Sequence, residues 1–149
     1  MKFIKIFDIR VEKCAKTNKA RIAAPSQISA IEKVFVKALE NYFKSLTPIS
    51  RAVVSQLDWS VLSPFQKEVF LETFNVPFGK TITYGELSEN LRRRKIKAAP
   101  RAVGQALKKN PYPILIPCHR VVGKADLGGY SGNNQNWKIW LLEHEGASF

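Results

Sequence analysis

Cys118 and His119 stand side by side, a thiol next to a base, and this pair is the strongest chemical signal in the chain. A cysteine by itself is more often a small apolar side chain than a reactive one. Three neighbours shift that balance. Pro117 fixes the chain on entry, His119 can take a proton, and Arg120 with the nearby basic block favours thiolate. If the segment is a strand, adjacent side chains point to opposite faces, so a direct Cys118–His119 hydrogen bond does not follow from adjacency, and a bridging water could relay the proton. Glu145 could orient the imidazole as the third member of a triad does. Taken alone, it reads more simply as an exposed carboxylate at a helix end.

Other chemistries have less support. The chain holds two Cys and two His, with Cys118 and His119 adjacent, which is not the spacing of a zinc chelate. No metal is expected. Neither GxGxxG nor GxxxxGK[ST] occurs, so no nucleotide cofactor is expected, and no cofactor of any other kind.

The elements that must position these residues follow from pattern and punctuation. Residues 2–12 alternate apolar and polar like a half-buried strand. Ile31, Val34, Phe35, Ala38, Leu39, Tyr42 and Phe43 recur at helical spacing over 28–45, and Ser29 with Glu32 forms a capping-box pattern. The stretch from Thr47 to Trp59 lacks a sustained period and reads as the connection between two domains, 1–56 and 57–149. Ser63-Pro64 starts a second helix whose stripe is Phe65, Val69, Phe70 and Phe74. Thr81–Thr83 reads as extended. Two helical segments follow, 84–92 and 100–109, the second with Ala102, Val103, Ala106 and Leu107 as its buried face. Together they resemble a helix-turn-helix. Gly104, inside the second, suits a packing contact or the close approach of a DNA backbone. The proline-rich run 110–123 reads as a buried extended segment, 128–134 as a loop, and 136–145 as an amphipathic helix. The fold class expected is α+β: a small strand-containing amino-terminal domain and a mainly helical carboxy-terminal domain carrying the helix-turn-helix.

Charge points to a partner. Among 149 residues, 24 Lys and Arg against 12 Asp and Glu give a net charge of +12. Residues 92–109 carry eight basic side chains and no acidic one. Such a block is either a solvated face or a polyanion surface, and its position around the helical pair favours nucleic acid. No window reaches the ~18 apolar residues of a membrane span, and the start of the chain does not read as a signal peptide. Two cysteines 104 positions apart make no disulfide framework, so a reducing, cytoplasmic setting is expected, or a nuclear one in a eukaryote.

The run PILIPCHRVVG, followed by GGYSG and WLLEHEG, resembles the O6-alkylguanine-DNA alkyltransferases, and SPFQKEVF, VPFGKTITYGEL and PRAVGQALKKNP match the same family in the same order. The resemblance covers residues 57–146. It implies that Cys118 accepts the alkyl group from guanine O6, possible lesions extending to O4-alkylthymine, in an irreversible single turnover. It implies that His119 activates Cys118 through a water, that Glu145 holds His119, and that Asn110 ties the helix-turn-helix to the active segment. Arg101 would fill the gap left by a flipped-out nucleotide. Tyr84 would help rotate that nucleotide and donate a proton towards guanine N3. Val121 and the Cys118 carbonyl would read the guanine amino group, Tyr130 and Ser131 would flank the alkyl group, and Lys138 would stand nearby. Gln66, Thr83, Ala102 and Gly104 fall on the DNA side.

The residues also admit plainer readings: a turn Asn for Asn110, an inward-packing aromatic for Tyr84, a solvated helix lysine for Lys138. The partner implied is double-stranded DNA with alkylated bases, bound by a monomer, with cooperative assembly on DNA as an open alternative. The turn between Tyr84 and Arg101 looks a few residues longer than is usual in the family, and the amino-terminal domain lacks the zinc-ligand set of some relatives. Three rival functions stand beside this one: a lesion-binding helix-turn-helix protein without transfer chemistry, a regulator with an incidental thiol, and a Cys–His hydrolase.

Overall fold

The first strand pattern breaks where the chain reverses. In the computed structural model, which describes residues 3–128 and 135–149 (of Phe3, the backbone only), the expected strand over 2–12 is a hairpin. Strands β1 (Phe3–Ile6) and β2 (Ile9–Lys13) pair antiparallel, with Ile6 opposite Ile9. Phe7 makes the reversal with φ 55, a left-handed conformation uncommon for a residue with a Cβ, and its ring stacks on Phe35. Strand β3 (Ala20–Ala23), absent from the sequence reading, completes the sheet in the order β1-β2-β3. Helix α1 (Ala30–Ser45) carries the complete capping box of Ser29 and Glu32. It buries Phe35, Leu39 and Tyr42, whereas Ile31, assigned to the same stripe, is 50% exposed. A short helix α2 (Arg51–Val54), capped by Ser50, occupies the stretch read as irregular.

The chain divides into two compact units, 1–57 and 58–149. In the second, helix α3 (Pro64–Phe74) starts on a capping box of Ser63 and Gln66 with Pro64 in its first turn. Strand β4 (Ile82–Thr83) runs straight into helix α4 (Tyr84–Arg93), capped by Thr83 and Glu86. Helix α5 (Pro100–Lys108) has no side-chain cap and relies on Pro100 at its start. Val103, Ala106 and Leu107 face inward as expected. Ala102 does not: it is exposed beside Arg101. The buried hydroxyl of Ser88 donates to the Ala98 carbonyl at 2.8 Å and holds the basic turn against α4. Arg94 in that turn pairs with Glu68 and Glu72 of α3 at 2.7 and 3.4 Å.

The segment after α5 is buried as expected, from Tyr112 to Val122, but it is not one extended run. Cys118–Arg120 form a 3-10 turn, and only Val121–Val122 extend, as strand β5, pairing parallel with β4. Helix α6 (Gln135–His144) buries Trp137, Lys138, Trp140, Leu141 and Leu142, so it is a core helix more than an amphipathic one. Among the described residues, no helix is long and apolar enough to cross a membrane.

Candidate active site

The β4–β5 pairing sets Ile82 opposite Val121 and Thr83 opposite Val122, which brings the start of α4 beside the exit of the Cys118 turn. Cys118 itself is 5% exposed. Because it opens a 3-10 turn and not a strand, the opposed-face argument for Cys118 and His119 does not apply. His119 is fully buried, with Nε2 2.7 Å from Glu145 Oε1. Its Nδ1 is the buried side-chain polar atom that has no hydrogen-bond partner among the described residues. Burial pushes the His119 pKa down and outweighs the pull of Glu145; Arg120 and Lys138 push it the same way. A neutral imidazole that donates from Nε2 to a carboxylate presents Nδ1 as a base.

Glu145 is no exposed helix-end carboxylate. Its Oε1 accepts from Arg120 Nη2 at 2.9 Å as well as from His119, and its Oε2 accepts from Arg120 Nε at 2.9 Å and the Gly79 amide at 3.2 Å. Burial alone would raise its pKa, but His119 and the Arg120 guanidinium more than reverse that and hold it well below the usual carboxylate range. Arg120 also donates from Nη1 to the Val76 carbonyl at 2.8 Å and lies over the Phe78 ring. The sequence reading set Arg120 beside the thiol; the structure spends its charge on Glu145. Lys138, in contrast, is near enough for a charge on Cys118 to raise its pKa.

Lys138 is buried, not solvated. Its Nζ donates to the Val121 carbonyl at 2.5 Å and lies 3.5 Å from the Tyr84 hydroxyl. Burial lowers its pKa to about 8, while negative charge on Cys118 and Asp126 pulls it back up. Burial raises Tyr84 to about 12, assisted by the same two charges. The Val121 carbonyl, expected to read a guanine amino group, therefore already has a donor.

Tyr84 has two glycine neighbours. A Cβ on Gly104 would touch its ring at 3.7 Å, and a Cβ on Gly128 (φ +66) would collide with it at 2.8 Å. Gly104 thus stands next to the Tyr84 ring, with room for an ordinary contact. The close approach of Gly128, read only as part of a loop, to Tyr84 has no signal within one segment of the sequence, nor do the partners that Glu145 finds in Gly79 and Arg120.

Asn110 is buried and works at both ends. It accepts from the Tyr112 amide at 2.9 Å and donates to the Ile116 carbonyl at 3.1 Å, so the turn reading and the tying reading describe one arrangement. Gln66 and Thr83 each spend a side-chain oxygen on a helix cap. Arg101 is exposed in the first turn of α5. Tyr130 and Ser131 lie outside the described residues. Among the described residues, no group of three or more His, Cys, Asp or Glu could hold a metal ion.

Residues 64–147 match the family model described as 6-O-methylguanine DNA methyltransferase, DNA binding domain. The chain belongs to that family. A methylated-DNA–protein-cysteine methyltransferase of Thermococcus barophilus is 47% identical over 92 residues, 61% of this chain and 49% of the relative. The protein of that name in Methanocaldococcus jannaschii is 48% identical over 81 residues, 54% of this chain and 45% of the relative. The chain thus spans about half the length of the curated relatives it matches. Among solved structures, the O6-methylguanine-DNA methyltransferase of Pyrococcus kodakaraensis superimposes with TM-score 0.65 at 38% identity, over 85% of this chain and 69% of that one. Mycobacterium tuberculosis OGT in complex with DNA does so with TM-score 0.63 at 26% identity, over 97% and 91%. The α+β class, a small antiparallel sheet followed by a mainly helical part, is that of these methyltransferase structures.

Proposed function

We propose that this methyltransferase-family chain performs direct-reversal repair of DNA, moving the alkyl group of O6-alkylguanine onto Cys118 once per molecule. The observation that carries the reading is the buried run from Cys118 through His119 to Glu145, with His119 Nδ1 unpartnered among the described residues, in a unit that presents Arg101 on an exposed helix start. A free thiol of pKa ≈ 8.5 is a few per cent thiolate at neutral pH, so a base is needed. His119 Nδ1 takes the thiol proton through a water. The thiolate then attacks the alkyl carbon: the S–C bond forms, the C–O6 bond breaks, and its electron pair stays on guanine, which takes up a proton. Tyr84 supplies that proton, and the Lys138 ammonium beside it stabilises the tyrosine as it gives it up. No cofactor enters this balance.

The target atom lies within the base stack, so the nucleotide must be flipped out, and Arg101 would occupy the space it leaves. Ala102, exposed and small, lets α5 lie close to the duplex. The +12 charge favours double-stranded DNA as the partner through counterion release. A thioether cannot be reversed by thiol exchange, which requires a disulfide. A free acceptor thiol fits a reducing compartment, the cytoplasm or a nucleus.

The test is the intact mass of the protein after incubation with a duplex carrying one O6-methylguanine, beside Cys118→Ala. A stoichiometric gain of one CH2 group, absent in the variant, is expected. Tight lesion binding with no mass gain would leave the lesion-binding rival as the better account.

A further inference from the structure

The arrangement around Glu145 holds more than a triad requires. A carboxylate offers about four lone-pair positions. In Glu145 all are taken: His119 Nε2 and Arg120 Nη2 on Oε1, Arg120 Nε and the Gly79 amide on Oε2. The guanidinium meets the carboxylate through two parallel bonds, the geometry that fixes both position and plane. Its remaining arm is anchored to the Val76 carbonyl, in the same turn that supplies the Gly79 amide. That turn approaches α6 closely at Gly79, where φ is +74 and a Cβ would stand 2.9 Å from the Glu145 carbonyl oxygen.

We infer that Arg120, anchored by the turn at residues 76–79, is a positioning residue for the proposed transfer: it clamps Glu145 as a fixed, neutralised anion so that His119 starts neutral and alone receives the thiol proton. The inference rests on that reading of Cys118 as acceptor.

The physical reason lies in the charge count. Beside the His119 bond, the other three positions on Glu145 are held by Arg120 and the Gly79 amide, and with the guanidinium charge they keep Glu145 anionic, so the imidazolium keeps its Nε2 proton and does not pass it on. The Arg120 and Glu145 charges cancel locally, which leaves His119 in a buried site with little net field. Lys138 on α6 adds positive charge, and Cys118 is the group from which the proton comes. Burial first, then the charges of Arg120 and Lys138, keeps the imidazole neutral at rest against the pull of Glu145, the state a base requires. Without the guanidinium, the buried Glu145 charge would stand uncompensated. The Glu145–His119 pair would then take up a proton at higher pH, as a coupled unit, and the base would be lost before the reaction began. When the thiol proton does arrive, the Nε2 bond to the Glu145 carboxylate is charged at both ends and strengthens.

The experiment uses the full chain with Arg120→Met and Arg120→Lys. It follows single-turnover alkyl transfer against pH, from lesion duplex and from free O6-benzylguanine, with lesion-DNA affinity measured alongside. For Arg120→Met the expected result is a transfer rate lower by ~10–100-fold on both substrates. DNA affinity should stay within about twofold, and the half-maximal rate should move to higher pH by about one unit. Arg120→Lys restores the charge without the fork, and should return the pH midpoint while recovering only part of the rate. A folded, DNA-binding Arg120→Met with an unshifted midpoint would overturn the inference and leave Arg120 as scaffolding.

If Arg120→Met does not fold, nitrogen NMR of the wild-type imidazoles decides. Neutral His119 with its proton on Nε2 near neutral pH supports the clamp; imidazolium, or the Nδ1–H tautomer, overturns it. This readout is independent of alkyl transfer. A wild-type protein that gains no alkyl group would sink the proposed function, and the NMR result would still stand or fall by itself.

Discussion

The two units of the chain bury different things. Unit 1 closes on Ile4, Ile6, Ile9, Val11, Phe35, Leu39, Tyr42, Val54 and Leu57. Among the described residues, the buried polar or charged side chains Thr73, Ser88, Asn110, His119, Arg120, Lys138 and Glu145 all belong to unit 2. The two cysteines divide the same way: Cys14 is exposed and Cys118 buried. Burying a charge costs several kcal/mol per ion before any pairing is credited, and a pair seldom returns much more than that cost. A stable small unit could be built without such groups, as unit 1 is. The side chains of His119, Arg120, Lys138 and Glu145 in one interior, with His119, Lys138 and Glu145 displaced from their ordinary pKa values, are therefore a mark of chemistry and not of stability.

The most severe way to break this contrast is to remove one partner of the buried charges. Glu145→Gln keeps the shape but leaves Arg120 without its counter-ion. It should cost unit 2 ~3–5 kcal/mol, the usual penalty for an orphaned buried charge. Urea unfolding followed by tryptophan fluorescence checks this directly, because Trp59, Trp137 and Trp140 all lie in unit 2. A loss below ~1 kcal/mol would mean that Arg120 finds water on losing its partner, and the interior would be less closed than the structure shows.

Acid provides a gentler probe. The folded His119 has its pKa lowered below the ordinary 6.5, so as pH falls through 6.5 the unfolded chain gains a proton that the folded chain refuses. Stability is then lost at up to ~1.4 kcal/mol per pH unit, until the folded pKa is reached. Glu145, depressed in the fold, contributes stability above its ordinary 4.5 and loses it as pH falls below that value, in the same direction. In unit 1 the depressed carboxyl is Glu32, an exposed capping residue whose effect begins only below 4.5. Between about pH 7 and pH 5 the tryptophan-reported stability should therefore fall while amide-exchange protection in β2 and α1 stays level. Equal losses in both units would show that they unfold as one.

How much of this was legible in the sequence follows the same division. Helix α1 was readable from Ser29 three residues before Glu32, and α3 from Ser63 followed by Pro64, both local signals with a local cause. Helices α4 and α5 were readable from period and from Pro100. The hairpin at Phe7 was not, because a bulky residue takes the left-handed conformation that Gly or Asn usually announces. Strand β3 was preceded by a better signal: Asn18, also left-handed, in the turn that returns the chain to β2. In the site, Cys118 and His119 were visible because they are adjacent. The bonds that give them their character join residues 76–79 to 120 and 145, and Lys138 to 84 and 121; no pattern within one segment encodes contacts at such separations. Lys138 shows the limit best, since its surroundings decide whether a helix lysine is solvated or interior.

The smallest test sets two caps against each other. Ser29 and Thr83 do the same work: each side-chain oxygen accepts from the amide three residues on, and a Glu closes the box. Ser29→Ala and Thr83→Ala should each cost ~1 kcal/mol in the unit that holds them. Ser29 caps a helix that carries none of the reacting groups, so its loss should leave the alkyl-transfer rate unchanged. Thr83 lies in β4, pairs with Val122, and is followed directly by Tyr84. Loosening that junction shifts the tyrosine between Gly104 and Gly128 and away from Lys138, so the rate should fall although the stability cost is the same. Single-turnover rates beside urea midpoints separate the two. If Thr83→Ala reacts as fast as Ser29→Ala, Tyr84 owes its place to its glycine neighbours and to Lys138, and the strand pairing before it only closes the fold.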